Sequence, residues 1–398
     1  MRIEVLTSTA QTSKVAAAQL RRKLANASTR APDFVALHAS CKTDLAALRD
    51  GLDLPVETAL HGATSSNGII SHHHSTTEHP QDLGLFAIWE EDGDFGSAAR
   101  PLDDDPRARS HEAAQAALEM ADRPGEVPDL VWLSVTPGKE ELVLQGIRDA
   151  IGDEVPIVGG SAADNDLSGQ WAVFDRAQVL SNGVVVSMLF LDGYHSDAFQ
   201  SGYSPSAASG RVTRAAGRRI LEIDHKPAAL VYEQWTNGRI AAGDGAQESR
   251  NILADSTLSP LARQVQRRDG QGDYLLIHPA AINPDQSIDV FAEVPEGEVL
   301  TLMEGTRAAL VDRAGQVAEM SRSSLPKGRV KPKGALVVFC GGCMMAMGDE
   351  IGQVTDRIRT NLPDLPFLGV FTFGEQGHIP SGGNWHGNLM ISCITFGA

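Results

Sequence analysis

The chain has 398 residues, a formal net charge of -17, 42% hydrophobic residues and 21% charged residues. This length is sufficient for two or three domains with cores of their own, and the composition is that of a globular protein. A surface this acidic repels nucleic acid and anionic membranes, so neither is expected as a partner.

The N-terminus, the apolar runs and the cysteines indicate the cellular compartment of the protein. The N-terminus lacks the apolar segment of a secretory signal. No run approaches the roughly 20 apolar residues of a membrane span. The chain contains 4 cysteines, too few for a disulfide framework in a protein of this length. We therefore expect a cytoplasmic protein in a cell that keeps its thiols reduced.

The elements before the first repeated segment and between the repeats are predicted from local signals. Residues 1–32 contain an apolar-periodic stretch and are predicted to form a leader helix. Ser110 is the predicted N-cap of an Ala-rich helix. The Asn182-Gly183 pair is typical of a hairpin turn between two strands. Pro227 is predicted to open a helix, and three strands separated by turns follow it.

One larger pattern occurs three times: an apolar strand, a turn, an amphipathic helix, a second apolar strand and a loop of small polar residues. The copies cover residues 34–68, 130–166 and 335–377. Parallel strands need a crossover connection, so each copy predicts a βαβ unit. The expected fold class is α/β, with mixed sheets built from repeated βαβ units in two related modules packed together.

The polar loop of each copy lies at the carboxyl end of a strand, where open α/β sheets bind their ligands. Glycines let the backbone approach a ligand, and hydroxyl, amide and carboxyl groups supply hydrogen bonds. These residues could instead serve only the shape of a turn. Three loops at equivalent positions favour binding. The candidate ligand-binding residues are Gly62, Thr64, Ser65, Ser66, Gly160, Ser161, Asp164, Asn165, Thr372, Phe373, Gly374 and Glu375.

Cys340 and Cys343 form a C-x-x-C pair between a predicted strand and a predicted helix. Helix N-terminal amides lower a thiolate pKa, so the pair is a candidate for thiol-redox chemistry. Three nearby methionines add soft sulfur ligands of the kind that suit Cu(I) or haem iron. The alternative is a tight turn with buried cysteines and methionine filling the core. Because there is no second C-x-x-C, no metal site is expected.

The histidines suggest two further sites. Residues 71–80 contain a tract with metal-binding composition; its members are His72, His73, His74 and His79. Neighbouring histidines in an exposed loop usually bind nothing, so no native metal site is expected there. His278 ends an apolar run before a proline. It is either a satisfied core residue or, in an apolar pocket, an axial ligand of haem. The further haem-ligand candidates are His61, His378 and His386.

Enzyme signatures are missing from the sequence. Ser161 does not lie in a G-x-S-x-G nucleophile elbow. No G-x-x-x-x-G-K-[ST] loop for nucleotide phosphates is present. Glu375 has no identifiable partner that would make it a general base. The sequence therefore predicts a binding protein without enzymatic activity.

The motifs taken together resemble the FIST sensory family, with its N-terminal and C-terminal modules in order. The segments that carry the resemblance are HGATSSNGI (61–69), DGDFGSA (92–98), VPIVGGSAADN (155–165), LEIDHKPAALVYEQW (221–235), VPEGEVLTLMEGT (294–306), CGGCMMAMGDEI (340–351), LPFLGVFTFGEQG (365–377) and HGNLMIS (386–392). The resemblance implies modules at 33–224 and 225–398. The chain departs from the common form in its histidine tract and at His225, where the family pattern leads us to expect glycine.

The resemblance implies a ligand-binding input module of bacterial signal transduction, with small ligands such as amino acids. One branch of the family is regarded as haem-binding nitric-oxide sensors, which would make haem b the cofactor. No output domain follows the third copy. The expected partner is therefore a separate histidine kinase or cyclic-nucleotide enzyme, and a homo-oligomer is compatible with this reading.

Four functions stay open from the sequence. The first is a cytoplasmic small-molecule sensor whose strand-end loops form the site. The second is a haem-based nitric-oxide sensor that regulates a histidine kinase or a cyclic-di-GMP enzyme. The third is a thiol-redox protein that uses Cys340 and Cys343. The fourth is a scaffold that binds a partner independently of any small molecule.

Overall fold

A computed structural model describes residues 1–73, 83–243, 247–266, 272–380 and 382–398. His74 and His79 of the predicted histidine tract lie outside these residues. The described chain repeats one α/β unit three times and carries an antiparallel sheet inserted in the third unit. None of the helices in the described ranges is long and apolar enough to cross a membrane.

The first unit occupies the N-terminal part of the chain. Its elements are β1 (Arg2–Ser8), α1 (Ser13–Ala27), β2 (Phe34–Ala39), α2 (Leu45–Leu52), β3 (Ala59–Thr64), β4 (Ile69–Ser71) and β5 (Leu83–Trp89). β2 and β3 run parallel, as the βαβ pattern predicts, and β5 is antiparallel between β1 and β2. Residues 1–32 are therefore not a leader helix alone, because β1 is the edge strand of this sheet.

The second unit repeats this order. Its elements are β6 (Asp94–Pro101), α3 (Pro106–Met120), β7 (Leu130–Val135), α4 (Glu140–Ile151), β8 (Ile157–Ser161), β9 (Val173–Phe174), β10 (Val179–Leu180) and β11 (Gly183–Phe190). The predicted N-cap at Ser110 is wrong: Asp105 caps α3, and the Ser110 hydroxyl donates to the Pro106 carbonyl inside the helix. The predicted hairpin at Asn182-Gly183 is also wrong, because β11 pairs with β6 and β7.

The third unit begins with β12 (Tyr194–Ser201), and a nine-stranded antiparallel sheet then interrupts it. The inserted elements are β13 (Ser204–Ala216), β14 (Arg219–Ile223), β15 (Lys226–Pro227), α5 (Ala228–Trp235), β16 (Arg250–Asn251), α6 (Leu253–Ser256), β17 (Leu261–Gln266), β18 (Gly272–Ile277), β19 (Pro279–Ile282), β20 (Ile288–Val290) and β21 (Val299–Glu304). Asp224 and His225 form the tight β14–β15 turn with φ values of 50° and 59°. Glycine adopts this left-handed conformation without strain.

The third unit then resumes. Its remaining elements are α7 (Arg307–Ser324), β22 (Pro332–Cys340), α8 (Gly341–Met347), α9 (Ile351–Asn361), β23 (Phe367–Thr372), β24 (Glu375–Ile379), β25 (Gly383–Gly387) and β26 (Met390–Gly397). Its strand order, β12-β26-β22-β23, is equivalent to β1-β5-β2-β3 and β6-β11-β7-β8. The α/β class with mixed sheets and repeated βαβ units is therefore confirmed.

The three units exchange strands in a cycle. β4 of the first unit pairs with β23 of the third, β24 of the third pairs with β8 of the second, and β9 of the second pairs with β3 of the first. Each exchanged strand follows one of the predicted polar loops. Each of those loops therefore passes from its own unit into a neighbouring one.

The cores follow from this arrangement. The inner faces of the three sheets share one apolar cluster, which includes Phe86, Trp132 and Phe396 from the three units. A separate cluster lies under the helices of each unit on the outer face of its sheet. Strands covered on both faces need continuous apolar runs, which explains the fully buried β2, β7 and β23.

Candidate functional site

The three predicted polar loops meet where the units exchange strands. The Ser66 N–H donates to the Phe371 carbonyl at 3.1 Å, and the Ala163 N–H donates to the Thr64 carbonyl at 3.1 Å. The Phe373 N–H donates to the Ser161 carbonyl at 3.0 Å. Loops that are distant in sequence are thus tied to one another by their backbones.

Most polar side chains of these loops bond within this junction. The Ser65 hydroxyl donates to the Gly68 carbonyl at 2.5 Å and accepts from the Phe371 N–H at 2.8 Å. The Thr64 hydroxyl oxygen accepts from the Ala172 N–H at 3.1 Å. Asn165 Oδ1 accepts from the Asn67 N–H at 2.8 Å. These groups hold the loops together, and their role as ligand contacts stays a prediction.

Glycines allow the close approach of the loops. A Cβ on Gly62 would lie 2.1 Å from the Phe174 ring of the exchanged strand β9. A Cβ on Gly160 would lie 2.3 Å from Thr372 Cγ2. Larger residues at these two positions would push the exchanged elements apart.

The buried Asp164 side chain organises the loop at 164–170. Its Oδ1 accepts from the Leu167 N–H at 2.6 Å, and its Oδ2 accepts from the Gly169 and Gln170 N–H groups at 2.7 and 2.8 Å. These bonds hold Leu167 at a φ of 61°, a left-handed conformation that is strained for a leucine. The Leu167 side chain is 39% exposed and lies at the mouth of a cavity.

That cavity, which we name the inner chamber, lies at the carboxyl ends of strands from the second and third units and has a volume of about 70 Å³. Its lining residues are Pro137, Leu167, Trp171, Leu253, His278, Phe291, Cys340, Gly342, Met345, Phe373, Gly374 and Asn388. Of the sequence-predicted site residues, Phe373, Gly374, His278 and Cys340 come together here. The other predicted loop residues do not line the chamber.

A second cavity, the outer groove, adjoins the chamber and has a volume of about 280 Å³. The two share the lining residues Leu167, Leu253, Gly342 and Met345. Ligand pockets of proteins span roughly 300–1,000 Å³. The chamber and groove together reach the lower end of that range, which suits a small molecule.

The sequence did not indicate three important lining residues, Trp171, Leu253 and Phe291. Trp171 follows the Asp164 loop, and its ring meets the Phe373 ring edge to face with centroids 6.2 Å apart. Leu253 and Phe291 belong to the inserted sheet region, which carries no repeat pattern. The one available signal was the position of Trp171 directly after a strand-end loop.

His278 is a fully buried residue whose imidazole is already bonded. Its Nε2 lies 3.1 Å from the Leu253 carbonyl and 3.4 Å from the Thr257 hydroxyl. Burial lowers the pKa of His278 to about 4, so the ring is neutral near pH 7. Its backbone N–H donates to Asn388 Oδ1 at 3.1 Å.

These contacts do not fit an axial haem ligand. The His278 Nε2 bonds to a carbonyl, and the chamber of about 70 Å³ has no room for a macrocycle. Two of the other candidates are also bonded: His61 contacts Ser134 and Ser187, and His386 contacts Gln376. The third, His378, has its Nδ1 3.5 Å from Asp197 Oδ2 and does not line the chamber. Haem b as a cofactor stays a prediction that this geometry does not favour.

The two cysteines of the C-x-x-C pair are buried. Cys340 precedes α8 as its N-cap residue, as predicted, and lines the chamber. Burial raises the pKa of Cys340 well above its usual value, and the neighbouring Cys343 raises it further. This is opposite to the lowering expected from a helix N-terminus alone, because desolvation of the thiolate dominates. A redox role for the pair stays a prediction.

Glu375 follows the chamber residue Gly374 in the chain, and its side chain is fully buried. It accepts from the Thr372 hydroxyl at 2.8 Å and from the Met390 N–H at 2.9 Å. Burial raises the pKa of Glu375 well above its usual value. Its bonds tie β24 to β26 and make it part of the frame of the site.

A chain of polar groups runs from the loop junction toward the inserted sheet. The Ser161 hydroxyl donates to Glu140 at 2.9 Å, and Gln376 Nε2 lies 3.3 Å from the same hydroxyl and 3.2 Å from His386 Nδ1. Arg218 of the inserted sheet contacts Glu140 at 2.5 Å. Buried polar groups that bond across units in this way fix their relative arrangement.

A larger cavity of about 460 Å³ lies between α4, the inserted sheet and β25. Its lining includes Glu141, Arg148 and Arg263, and the first two are engaged in ion pairs with Arg218 and Asp153. This cavity is open and charged, and apart from His386 it contains no residue that the sequence singled out. The chamber is the better candidate, because it lies at the strand ends where the loops meet.

No group of three or more His, Cys, Asp and Glu side chains able to hold a metal ion is present in the part of the chain that the structure describes. The family models of the FIST N domain and the FIST C domain match residues 33–226 and 228–378. The chain belongs to the FIST family. This FIST protein is thereby assigned to a family associated with signal-transduction sensing, and the two family models match the two-module organisation that the sequence predicts.

Other similarities of this FIST protein are partial. An uncharacterized protein of Methanocaldococcus jannaschii is 34% identical over 141 residues, which cover 34% of this chain and 24% of that protein. Among solved structures, cyanuric acid hydrolase from A. caulinodans has a TM-score of 0.36 at 10% identity, covering 99% of this chain and 98% of that chain. Phosphoribosylformylglycinamidine synthase II from Thermotoga maritima has a TM-score of 0.23 at 11% identity, covering 100% of this chain and 72% of that chain. At these TM-scores neither structure bears on the function.

The two family models show that residues of both FIST domains line the chamber. Pro137, Leu167 and Trp171 belong to the FIST N domain, whereas Leu253, His278 and Phe373 belong to the FIST C domain. A molecule in the chamber would therefore contact both domains of the FIST protein.

Proposed function

We propose that this FIST protein is a sensory protein of signal transduction that binds a small molecule in the inner chamber and outer groove. The observation that carries the proposal is the shared lining of the chamber by FIST N and FIST C residues. A ligand there contacts both domains at once, so it can report its presence through their arrangement.

The mechanism requires two states that differ in affinity for the ligand. Leu167 provides one element with such a difference, because its left-handed backbone is strained and its side chain lies at the mouth of the chamber. Contacts between a bound ligand and Leu167 would stabilise the loop in this strained conformation. Release of the ligand would leave the strain without compensation.

The output passes to a separate partner, such as a histidine kinase or a cyclic-nucleotide enzyme, in the cytoplasm. The proposal assigns no catalytic step to the chain. The thiols of Cys340 and Cys343 are buried, and burial raises the pKa of Cys340. The His278 ring is already hydrogen-bonded. These properties support a role in binding. They also provide no obvious nucleophile.

A thermal-shift screen of small metabolites tests the proposal, because a ligand that binds only the folded protein raises the melting temperature. The matched variants are Met345→Trp and Met320→Trp, since both methionines are 40% exposed but only Met345 lines the chamber and groove. A true ligand stabilises wild type and Met320→Trp, and Met345→Trp abolishes its effect by filling the groove.

Small-angle scattering with and without the ligand then tests the sensory part. A change in the scattering curve that Met345→Trp removes would support a shift between two arrangements of the domains. Ligand hits that stabilise both tryptophan variants equally would contradict the chamber as the site. A broad screen without any hit would favour the scaffold alternative.

A further inference from the structure

We propose that the ligand of the inner chamber is an uncharged molecule with a flat, single-ring aromatic group, which packs against Trp171, Phe291 and Phe373. This inference rests on the proposed function and names the chemical class of the ligand. It differs from the expectation of amino acids, which are zwitterions near pH 7.

The lining of the chamber disfavours charged ligands. Among the described residues, no Asp, Glu, Lys or Arg side chain lines the inner chamber. Its polar groups are the His278 ring, which is neutral because burial lowers its pKa to about 4, the Asn388 amide and the Cys340 thiol. A carboxylate or an ammonium group would lose its hydration there without gaining a counter-charge, which strongly disfavours binding.

The aromatic rings of the lining favour contact with a further ring. The Trp171 and Phe373 rings stand at 88° to each other with centroids 6.2 Å apart. The His278 and Phe291 rings lie 6.0 Å apart on the side of the inserted sheet. Aromatic rings prefer edge-to-face and offset-stacked neighbours at these separations, so these walls offer both kinds of contact to a further ring.

The small volume of the chamber limits the size of the group that it can hold. The chamber of about 70 Å³ has room for little more than one small ring, whereas the outer groove of about 280 Å³ has room for a substituent. The groove includes the exposed Asp166 and Asn251, so a polar, uncharged substituent is tolerated there.

The test uses three probes that carry the same ring and differ in charge: benzyl alcohol, benzoate and benzylammonium. Binding to the full chain is measured near pH 7.5 by saturation-transfer NMR and by thermal shift. We expect saturable binding of benzyl alcohol in the millimolar range and at least 100-fold weaker binding of the two ions.

Gly342→Ala locates the binding. A Cβ there would lie 3.3 Å from Leu389, 3.5 Å from the Cys340 sulfur and 3.6 Å from His278 Cε1, so it enters the chamber without a severe clash. We expect about tenfold weaker binding of benzyl alcohol. The matched control is Gly352→Ala, which makes the same change in helix α9 away from the chamber and should leave binding unchanged.

The outcomes separate this inference from the proposed function. Benzoate or benzylammonium binding within tenfold of benzyl alcohol, and weakened by Gly342→Ala, would overturn the ligand class while supporting the chamber as a site. No binding of any probe, or binding insensitive to Gly342→Ala, would also overturn the inference. The metabolite screen with Met345→Trp and Met320→Trp judges the proposed function independently.

Discussion

The Asp164 loop offers the sharpest test of how the site is held. Each oxygen of the Asp164 carboxylate accepts two N–H groups: Oδ1 from residues 166 and 167, and Oδ2 from residues 169 and 170. Asp164→Asn keeps the size of the side chain but replaces one oxygen with an NH₂ group. In either orientation of the amide, two backbone donors then face a donor.

The magnitude follows from these contacts. Two lost hydrogen bonds to a charged group cost about 1.5 kcal/mol each at the lower end of the measured range. Release of Leu167 from its left-handed backbone returns about 1 kcal/mol. We therefore expect Asp164→Asn to lower the free energy of unfolding by about 2 kcal/mol and to weaken any chamber ligand, because Leu167 no longer holds its position at the mouth.

Urea unfolding measures the free energy, and hydrogen exchange reports the amides of Leu167, Gly169 and Gln170. The control is Asp166→Asn in the same loop, because the exposed Asp166 accepts only from the Ser168 N–H, at 3.2 Å, among the bonds described. Unchanged protection of the three amides, with a stability within about 0.5 kcal/mol of wild type, would refute the role of Asp164 as organiser of the loop.

Three further predictions follow from buried groups. Burial lowers the pKa of His38 to about 3, so only the unfolded chain takes up a proton at this residue as the pH falls below about 6.5. Between about pH 7 and pH 5, the free energy of unfolding of wild type should therefore fall by about 2 kcal/mol more than that of His38→Leu, as measured by urea unfolding. Iodoacetamide, followed by mass spectrometry, should label the half-buried Cys41 before the buried Cys340. Faster labelling of Cys340 would instead support the redox hypothesis. Glu140→Gln should cost about 2 kcal/mol in urea unfolding, because the mostly buried Arg218 loses one of its two carboxylate partners, and a loss below about 0.5 kcal/mol would contradict that pairing.

The repeated units were predictable because their strands are buried on both faces. Continuous apolar runs such as Leu130–Val135, each followed by an amphipathic helix, carry the βαβ signal in the sequence itself. The exchange of strands was not predictable. β4 has 3 residues and β9 has 2, and segments this short carry no period that indicates a partner.

The site was predictable only in part, for a related reason. The sequence correctly predicted that Phe373 and Gly374 lie at the end of a parallel strand pair, where they line the chamber. It did not indicate that Ser65 and Thr64 would bond within the junction, because their partners come from other units. Nor could it indicate Phe291, which reaches the chamber through the fold of the inserted sheet.

The inserted sheet contributes to the chamber a wall that the repeat alone does not provide. The repeat produces strand ends in every unit, and Leu253, His278 and Phe291 of the insertion line the chamber where the second and third units meet. The repeat thus supplies a rigid frame in which each loop holds its neighbour. The insertion breaks the symmetry of that frame and encloses one junction. Changes in the insertion should therefore alter which ligand binds, whereas changes at Gly62 or Gly160 should alter stability first, because a side chain there would collide with residues of a neighbouring unit.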